Sequence, residues 1–307
     1  MSLYEDRNIK PMLISEMQDP FNSVDYIYEL KLDGLRAIVY LDETSTDIRN
    51  KRNLKLLPKF PELTDLHLQI NKKCILDGEL VVLKNGVPDF YELQKRTMLT
   101  NSFKITLANS KYPASFVAYD IICYGDKQVT SLPLIERKKL LEEVVNENTK
   151  FAISRYIPEH GIQLFELADK QKLEGVVAKE KMSKYYFDKR TKEWIKFKRM
   201  ADEDFVICGY KENEANGYSL ILGQYKNDTL VYKGSVTLGV KFDILKKCTK
   251  INYSPFHLLP SEHDNITFLK PEVVCVVEYM PNTKDALRQP VLKGIRDDVL
   301  PKDCKVK

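Results

Sequence analysis

The segment Tyr28-Glu29-Leu30-Lys31-Leu32-Asp33-Gly34-Leu35-Arg36 constrains the fold more than any other part of the chain. An apolar, β-rich run from Val24 to Leu30 delivers a lysine into a turn made by Asp33-Gly34, and a second run, Ala37 to Leu41, leaves it. A lysine bracketed by β segments can bury part of its stem while its amine faces a pocket. In that setting an amine loses some of its charge and can act as a nucleophile. Arg36 follows at a spacing that allows it to hold a phosphate or ribose beside Lys31. A hairpin with a surface lysine and a solvated arginine has the same letters, so the rest of the chain must decide.

Four further stretches carry polar residues where apolar ones would be cheaper. Cys74 to Leu83 is a β run interrupted by Asp77-Gly78-Glu79, and carboxylates there are costly without a cation or hydrogen bonds. A metal or ribose role for Glu79 is therefore favoured over a hairpin turn. Ala114 to Ile122 alternates poorly and predicts a strand covered on both faces. Within it, Tyr119 is either a core aromatic or a ring stacked on a flat ligand. Leu173 to Lys179 is a short β run with Glu174 at its entry. In Trp194-Ile195-Lys196-Phe197-Lys198 the alternation puts Lys196 and Lys198 on one face away from the core, where two ammoniums repel unless an anion lies between them. Arg49, in the basic turn from Asp47 to Asn53, is a phosphate contact or a solvated side chain.

Leu54 to Leu68 mixes Pro58 and Pro61 with spacing suited to a short helix, and helices are expected from Phe90 behind an Asp89 N-cap and over Ile162 to Lys172. Pro133 to Val145 is the clearest amphipathic helix, with its charges on the solvent face and a scaffold role. After Met200, Ala201-Asp202-Glu203-Asp204 reads as an acidic break, which divides the chain into domains 1–200 and 201–307. The second holds strands at Phe205–Tyr210, Ser219–Tyr225, Thr229–Val236 and Val273–Tyr279, a helix at Val240–Cys248 and a basic closing segment from Leu287 to Asp298. That content suits a small Greek-key barrel of the OB type.

Composition excludes several classes. The six cysteines are scattered and histidines number four, so neither a zinc site nor a disulfide frame is expected, and a reducing, intracellular compartment is. No run approaches a membrane span, and the first residues do not read as a signal peptide. A net charge of +4 permits nucleic-acid contact without demonstrating it.

Taken in order, these stretches resemble the covalent nucleotidyltransferases, most closely the ATP-dependent DNA ligases of the short bacterial end-joining type. Lys31-Leu32-Asp33-Gly34-Leu35-Arg36 is similar to motif I, Arg49-Asn50 to motif Ia, and Leu76-Asp77-Gly78-Glu79 to motif III. Phe116 to Asp120 resembles motif IIIa, Leu173 to Val177 motif IV, and Trp194 to Lys198 motif V. The resemblance implies an α+β fold: a nucleotidyltransferase (adenylation) domain of antiparallel sheets with flanking helices, then a small β-barrel OB-fold domain. It implies that Lys31 attacks ATP to form a lysyl-adenylate, with Glu29 and the adjoining Leu30 at the adenine and Tyr119 stacked on it. Arg36 and Arg49 would hold ribose or phosphate, and Lys196 and Lys198 the α-phosphate. Glu79 and Glu174 would place Mg²⁺, with Mn²⁺ as the alternative ion. Arg288, Lys293 and Arg296 would come from the OB domain. The expected substrate is nicked or broken duplex DNA, with a DNA-end-binding protein as a candidate partner, no membrane, and a monomer in the cytoplasm (at the nucleoid in a bacterium).

The chain departs from the family's last motif, usually Arg-x-Asp-Lys, because Val299 follows Arg296-Asp297-Asp298. Three alternatives stand beside the ligase: an RNA ligase, a GTP-using capping guanylyltransferase, and a non-catalytic OB-fold nucleic-acid binder.

Overall fold

Short β-branched and aromatic runs, bounded by Gly, Asn, Asp and Pro, fold here as strands. The computed structural model describes residues 3–213, 217–258, 265–281 and 287–306. The chain divides into two compact units, Met1–Lys198 and Arg199–Lys307.

The first unit begins α1 (Leu3–Asp6), β1 (Leu13–Met17), β2 (Ser23–Leu30), β3 (Leu35–Leu41), β4 (Thr46–Asn50) and β5 (Cys74–Lys84). It continues through β6 (Val87–Pro88), α2 (Phe90–Met98), α3 (Ser102–Lys111), β7 (Ala114–Tyr124), β8 (Lys127–Gln128) and α4 (Leu134–Val144). Then come β9 (Phe151–Ile153), β10 (Tyr156–Glu159), α5 (Gly161–Lys170), β11 (Val176–Glu180) and β12 (Arg190–Phe197). One sheet has the order β1-β12-β11-β2-β10; the other runs β4-β3-β5-β7-β8, with β6 beside β5 and β9 beside β7. Only β1–β12 and β7–β9 are parallel pairs among the described strands.

The two-residue period sets the layers. On the first sheet Ile27, Val177 and Trp194 share a face and pack with Ile38, Tyr40 and Ile75 of the second. Tyr28, Val176, Ala178, Ile195 and Phe197 point the other way, onto Leu164 and Ala168 of α5. The far face of the second sheet packs Leu76, Leu80 and Phe116 on Leu63, Leu93 and Leu141. β7 is thus covered on both sides, as its sequence predicts.

Three local expectations are corrected and a fourth is refined. The α4 charges do not all face solvent: Arg137 and Lys138 are buried, because helical spacing puts Lys138 in the stripe of Leu134 and Leu141. The short helix expected within Leu54 to Leu68 forms at Pro61–Gln69 as a 3₁₀ segment, with Pro58 and Pro61 restricting the residues before them. Trp194 and Lys196 share the inter-sheet face, so the lysine does not point away from the core. Finally, 201–204 is no break but the start of a strand, where Glu203 accepts from the Tyr279 hydroxyl at 2.6 Å and Asp204 from Arg296 at 3.3 Å.

The second unit comprises β13 (Ala201–Glu212), β14 (Tyr218–Lys226), β15 (Thr229–Val236), β16 (Thr267–Met280) and β17 (Arg288–Ile295). Their order is β15-β14-β13-β16-β17, every pair antiparallel. Leu238, just after β15, bridges to Val291 of β17 and brings the sheet's two edges together. The result is a curled OB-type barrel around Phe205, Ile207, Leu220, Leu222, Cys275 and Val277. A 3₁₀ turn at Phe242–Lys247 stands where a helix was expected, and the basic closing segment is itself a strand. Among the described residues the cysteines are free, and no helix is long and apolar enough to cross a membrane.

Candidate active site

Lys31 leaves the end of β2 into the gap between the two sheets of the first unit. Its backbone N–H donates to the Gly175 carbonyl at 2.9 Å, which ties the turn to the entry of β11. Gly175 has φ +139°, and a Cβ there would stand 2.1 Å from the Phe197 carbonyl oxygen. That close approach sets Glu174 beside Lys31. The Lys31 Nζ donates to Glu174 Oε2 at 2.7 Å, and Lys198 Nζ lies 2.7 Å from Oε1. Burial alone would push the Glu174 carboxyl up; Lys31 and Lys198 outweigh it and hold it below the ordinary glutamate value. The anion expected between lysines is therefore, in part, the protein's own. Lys196 has no carboxylate within ion-pair distance among the described residues, and burial, aided by the Lys198 and Lys31 charges, lowers its pKa.

The facing wall comes from the second sheet. Arg36 makes a two-pronged pair with Asp77, Nε to Oδ1 at 3.0 Å and Nη2 to Oδ2 at 2.6 Å. The Tyr185 hydroxyl donates to the same Asp77 Oδ2 at 2.7 Å. Glu79 lies opposite Arg36 on the same face, since the strand runs unbroken through Asp77-Gly78-Glu79. Burial pushes the Glu79 carboxyl up to about 8, although Lys31 and Arg36 pull it down. Tyr119 is the extra residue of a bulge: Asp77 pairs with Asp120 and Gly78 with Ala118, leaving Tyr119 unopposed. Bulges re-aim side chains, and this ring sits edge-on to Trp194 at 6.2 Å with Arg36 5.7 Å from its centre.

Glu29 is placed deeper, on the face shared by Val177 and Lys196. Its Oε1 lies 2.5 Å from Lys138 Nζ of α4, and its Oε2 lies 3.0 Å from Lys179 Nζ of β11. Burial pushes this carboxyl up, but the two ammoniums prevail and hold it low. Lys179 in turn lies 4.5 Å from the Tyr119 ring and 4.2 Å from that of Trp194. Burial brings its pKa down to about 8.

Glu29, Lys31, Arg36, Glu79, Tyr119, Glu174, Lys196 and Lys198 thus belong to one inter-sheet layer and its rim. Leu30 pairs with Val176, and its side chain takes the opposite face. The Arg49 guanidinium is engaged by Asp47 at 3.0 Å, the Arg7 carbonyl at 3.2 Å and Asn53 at 3.2 Å. Arg288 and Arg296 lie in the second unit. There Arg296 donates to both oxygens of Asp298, at 2.8 and 2.9 Å, while Val299 packs against a second apolar cluster of that unit, around Val206, Cys208 and Ile221. Asp77, Lys138, Lys179, Tyr185 and Trp194 were missed as site residues. Lys138 had a readable signal, a lysine inside an apolar helical stripe, and Lys179 shares the strand face of Val177.

A divalent ion has a partial place in this layer. Among the described residues no three His, Cys, Asp or Glu side chains gather into a cage. Glu79, however, is a carboxyl raised by burial, and a cation beside it would restore its charge. That donor set suits Mg²⁺, which takes one or two carboxylates and completes its shell with phosphates and water.

Residues 11–198 match the family described as ATP dependent DNA ligase domain, and residues 214–299 match the ATP dependent DNA ligase C terminal region. The chain is 27% identical to the SPbeta prophage-derived DNA ligase-like protein LigB of Bacillus subtilis, covering 94% of this chain and 99% of LigB. It is 29% identical to the bifunctional non-homologous end joining protein LigD of Bacillus subtilis, over 92% of this chain but only 47% of LigD. It therefore spans about half the length of that larger relative. A solved mycobacterial DNA ligase D complexed with ATP and MES superposes with a TM-score of 0.57 at 26% identity, covering 98% of this chain and 99% of the other.

Proposed function

The chain belongs to the ATP-dependent DNA ligases, and we propose that Lys31 is the residue through which it takes AMP from ATP. The Lys31 Nζ attacks the α-phosphorus; a phosphorus–nitrogen bond forms, the bond to the bridging oxygen breaks, and pyrophosphate leaves. The amine must be neutral at that moment. Lys196 and Lys198 bring positive charge to its side, which offsets negative charge growing on the phosphoryl oxygens. AMP next passes to the 5′-phosphate of a DNA break, and the neighbouring 3′-hydroxyl displaces it to close the strand.

Glu79 would hold Mg²⁺, with Glu174 joining once the Lys31 ammonium no longer occupies it. The ion would supply Lewis-acid polarisation of the α-phosphate. Glu29 would accept from the adenine amino group and Tyr119 would stack on the ring. The observation that carries this reading is the single carboxylate of Glu174 shared by Lys31 and Lys198 at 2.7 Å each. A solvated hairpin lysine has no need of it.

The duplex substrate follows from the family. Likeness to the ligase part of end-joining proteins supports double-strand ends as the cellular substrate, with an end-binding partner, and we take the chain as a monomer. The test supplies α-labelled ATP or GTP with Mg²⁺, to wild type and to Lys31→Ala. Label from ATP alone, lost in the variant, supports the assignment; label from GTP would move the chain to capping chemistry.

A further inference from the structure

The helix read from sequence as scaffold delivers a side chain to the depth of the site. Lys138 is 1% exposed and ends 2.5 Å from Glu29 Oε1, while Lys179 takes Oε2 at 3.0 Å. Two buried ammoniums on one carboxylate leave a positive charge in surplus. The other nearby acid, Asp120, does not offset it, because Arg137 engages both of its oxygens at 2.8 Å. Such an arrangement is expensive to bury, and its geometry says what it does. Cations from two different elements, α4 and β11, stand one at each oxygen of Glu29 as ion pairs and hold the carboxylate between them. The Ser154 side chain takes one further acceptor direction of this carboxylate, and an acceptor direction is left over. On the inter-sheet side, Tyr119 and Trp194 offer ring surface beside it.

We propose that Lys138 is a positioning residue for base recognition, pinning Glu29 so that its carboxylate accepts from the exocyclic amine of ATP and repels a base with oxygen at that place. The proposal rests on the reading that Lys31 and Glu29 serve one adenylation pocket. Without Lys138, Glu29 keeps Lys179 and the Ser154 side chain but loses the ammonium on Oε1, and the carboxylate can turn toward Lys179. The pocket then keeps its stacking surface but loses the fixed acceptor that separates an amine from a carbonyl.

The experiment uses the full chain with Lys138→Met, Lys138→Arg and Glu29→Gln. It compares initial rates of nucleotide attachment from ATP and from inosine triphosphate, whose base carries oxygen in place of the amine. A second assay follows sealing of a nick that already bears the 5′-adenylate and so needs no free nucleotide. Lys138→Met should reduce the ATP-over-inosine preference by about tenfold, mainly through KM, since a lost oriented hydrogen bond is worth that order of discrimination. Sealing of the pre-adenylated nick, whose adenine is delivered on the DNA, should fall by less than attachment from ATP does, and Lys138→Arg should restore the preference. An unchanged preference in Lys138→Met, with a collapsed one in Glu29→Gln, would overturn the positioning role and leave Glu29 as the base reader. Equal losses in both assays would also overturn it, in favour of a purely structural lysine. If Glu29→Gln itself keeps the preference while Lys31 still labels, Glu29 does not read the base and the proposal falls with it. Should Lys138→Met fail to fold, Lys138→Gln takes its place in the same comparison.

Discussion

Arg36 and Asp77 sit diagonally across neighbouring strands and meet through two hydrogen bonds, at 3.0 and 2.6 Å, with Asp77 fully buried. Asp77 also accepts from Tyr185, so one carboxylate holds both an arginine of the pocket wall and a tyrosine from the segment before β12. Removing it leaves two polar groups without their partner. Asp77→Ala should therefore cost about 3–5 kcal/mol of stability, the range for breaking a buried pair, whereas Tyr185→Phe should cost about 1 kcal/mol. Denaturant unfolding checks both. Equal, small losses would show that Asp77 is not the node.

On the proposed chemistry, Lys198 is the cation that stays on Glu174 while Lys31 takes AMP. Lys198→Met should lower the single-turnover rate of AMP attachment by about 10²-fold, as for loss of one preorganised charge at a reacting phosphate. Its effect on folding should be small beside that, because Glu174 keeps Lys31. Quenched-flow labelling with saturating ATP reads the rate, and a loss confined to KM would contradict the assignment.

Glu79 gives the nucleotide-free protein a distinctive pH response. Its folded pKa, about 8, lies above its unfolded value. Between the two, the folded state binds more protons than the unfolded state, so this group's contribution to stability falls as pH rises from about 5 to 8. Glu79→Gln should abolish that fall, making the variant gain on wild type across the window. Urea midpoints at the two ends test it; a parallel dependence in both proteins would show that Glu79 is not strained by burial. Adding Mg²⁺ and ATP should flatten the wild-type response.

Gly175→Ala probes the turn that places Glu174. Its φ of +139° and the 2.1 Å approach to the Phe197 carbonyl leave no room for a methyl group. The strain should cost at least about 1–3 kcal/mol, and AMP attachment should fall further than stability predicts, because the carboxylate moves from Lys31. Wild-type labelling in a stable variant would sink this account of the turn.

What the sequence disclosed depended on how local each interaction was. Lys31 and Glu174 stand at strand ends beside Gly34 and Gly175, and Lys198 closes an alternating strand; those settings are visible in the letters. The unbroken strand through Asp77-Gly78-Glu79 was half visible: the letters showed that the carboxylates were costly, but not that Arg36 and Tyr185 compensate Asp77. Tyr119 reaches the pocket through a bulge, whose register depends on the partner strand. Lys138 was hidden for another reason. Its helix looks amphipathic whether the lysine is buried or solvated, and only the distant Glu29 decides which. In the barrel, 201–204 looked like a linker because its carboxylates find Tyr279 and Arg296 about 75 or more residues away along the chain.

The central claim is that AMP is carried on Lys31, and locating the modified residue tests it directly. The purified protein is incubated with ATP and Mg²⁺, digested, and its AMP-bearing peptide sequenced by mass spectrometry. The account predicts one adenylated lysine, Lys31, with the mark removed on adding nicked duplex DNA. AMP on Lys196 or Lys198, or a stable mark that DNA does not discharge, would contradict it.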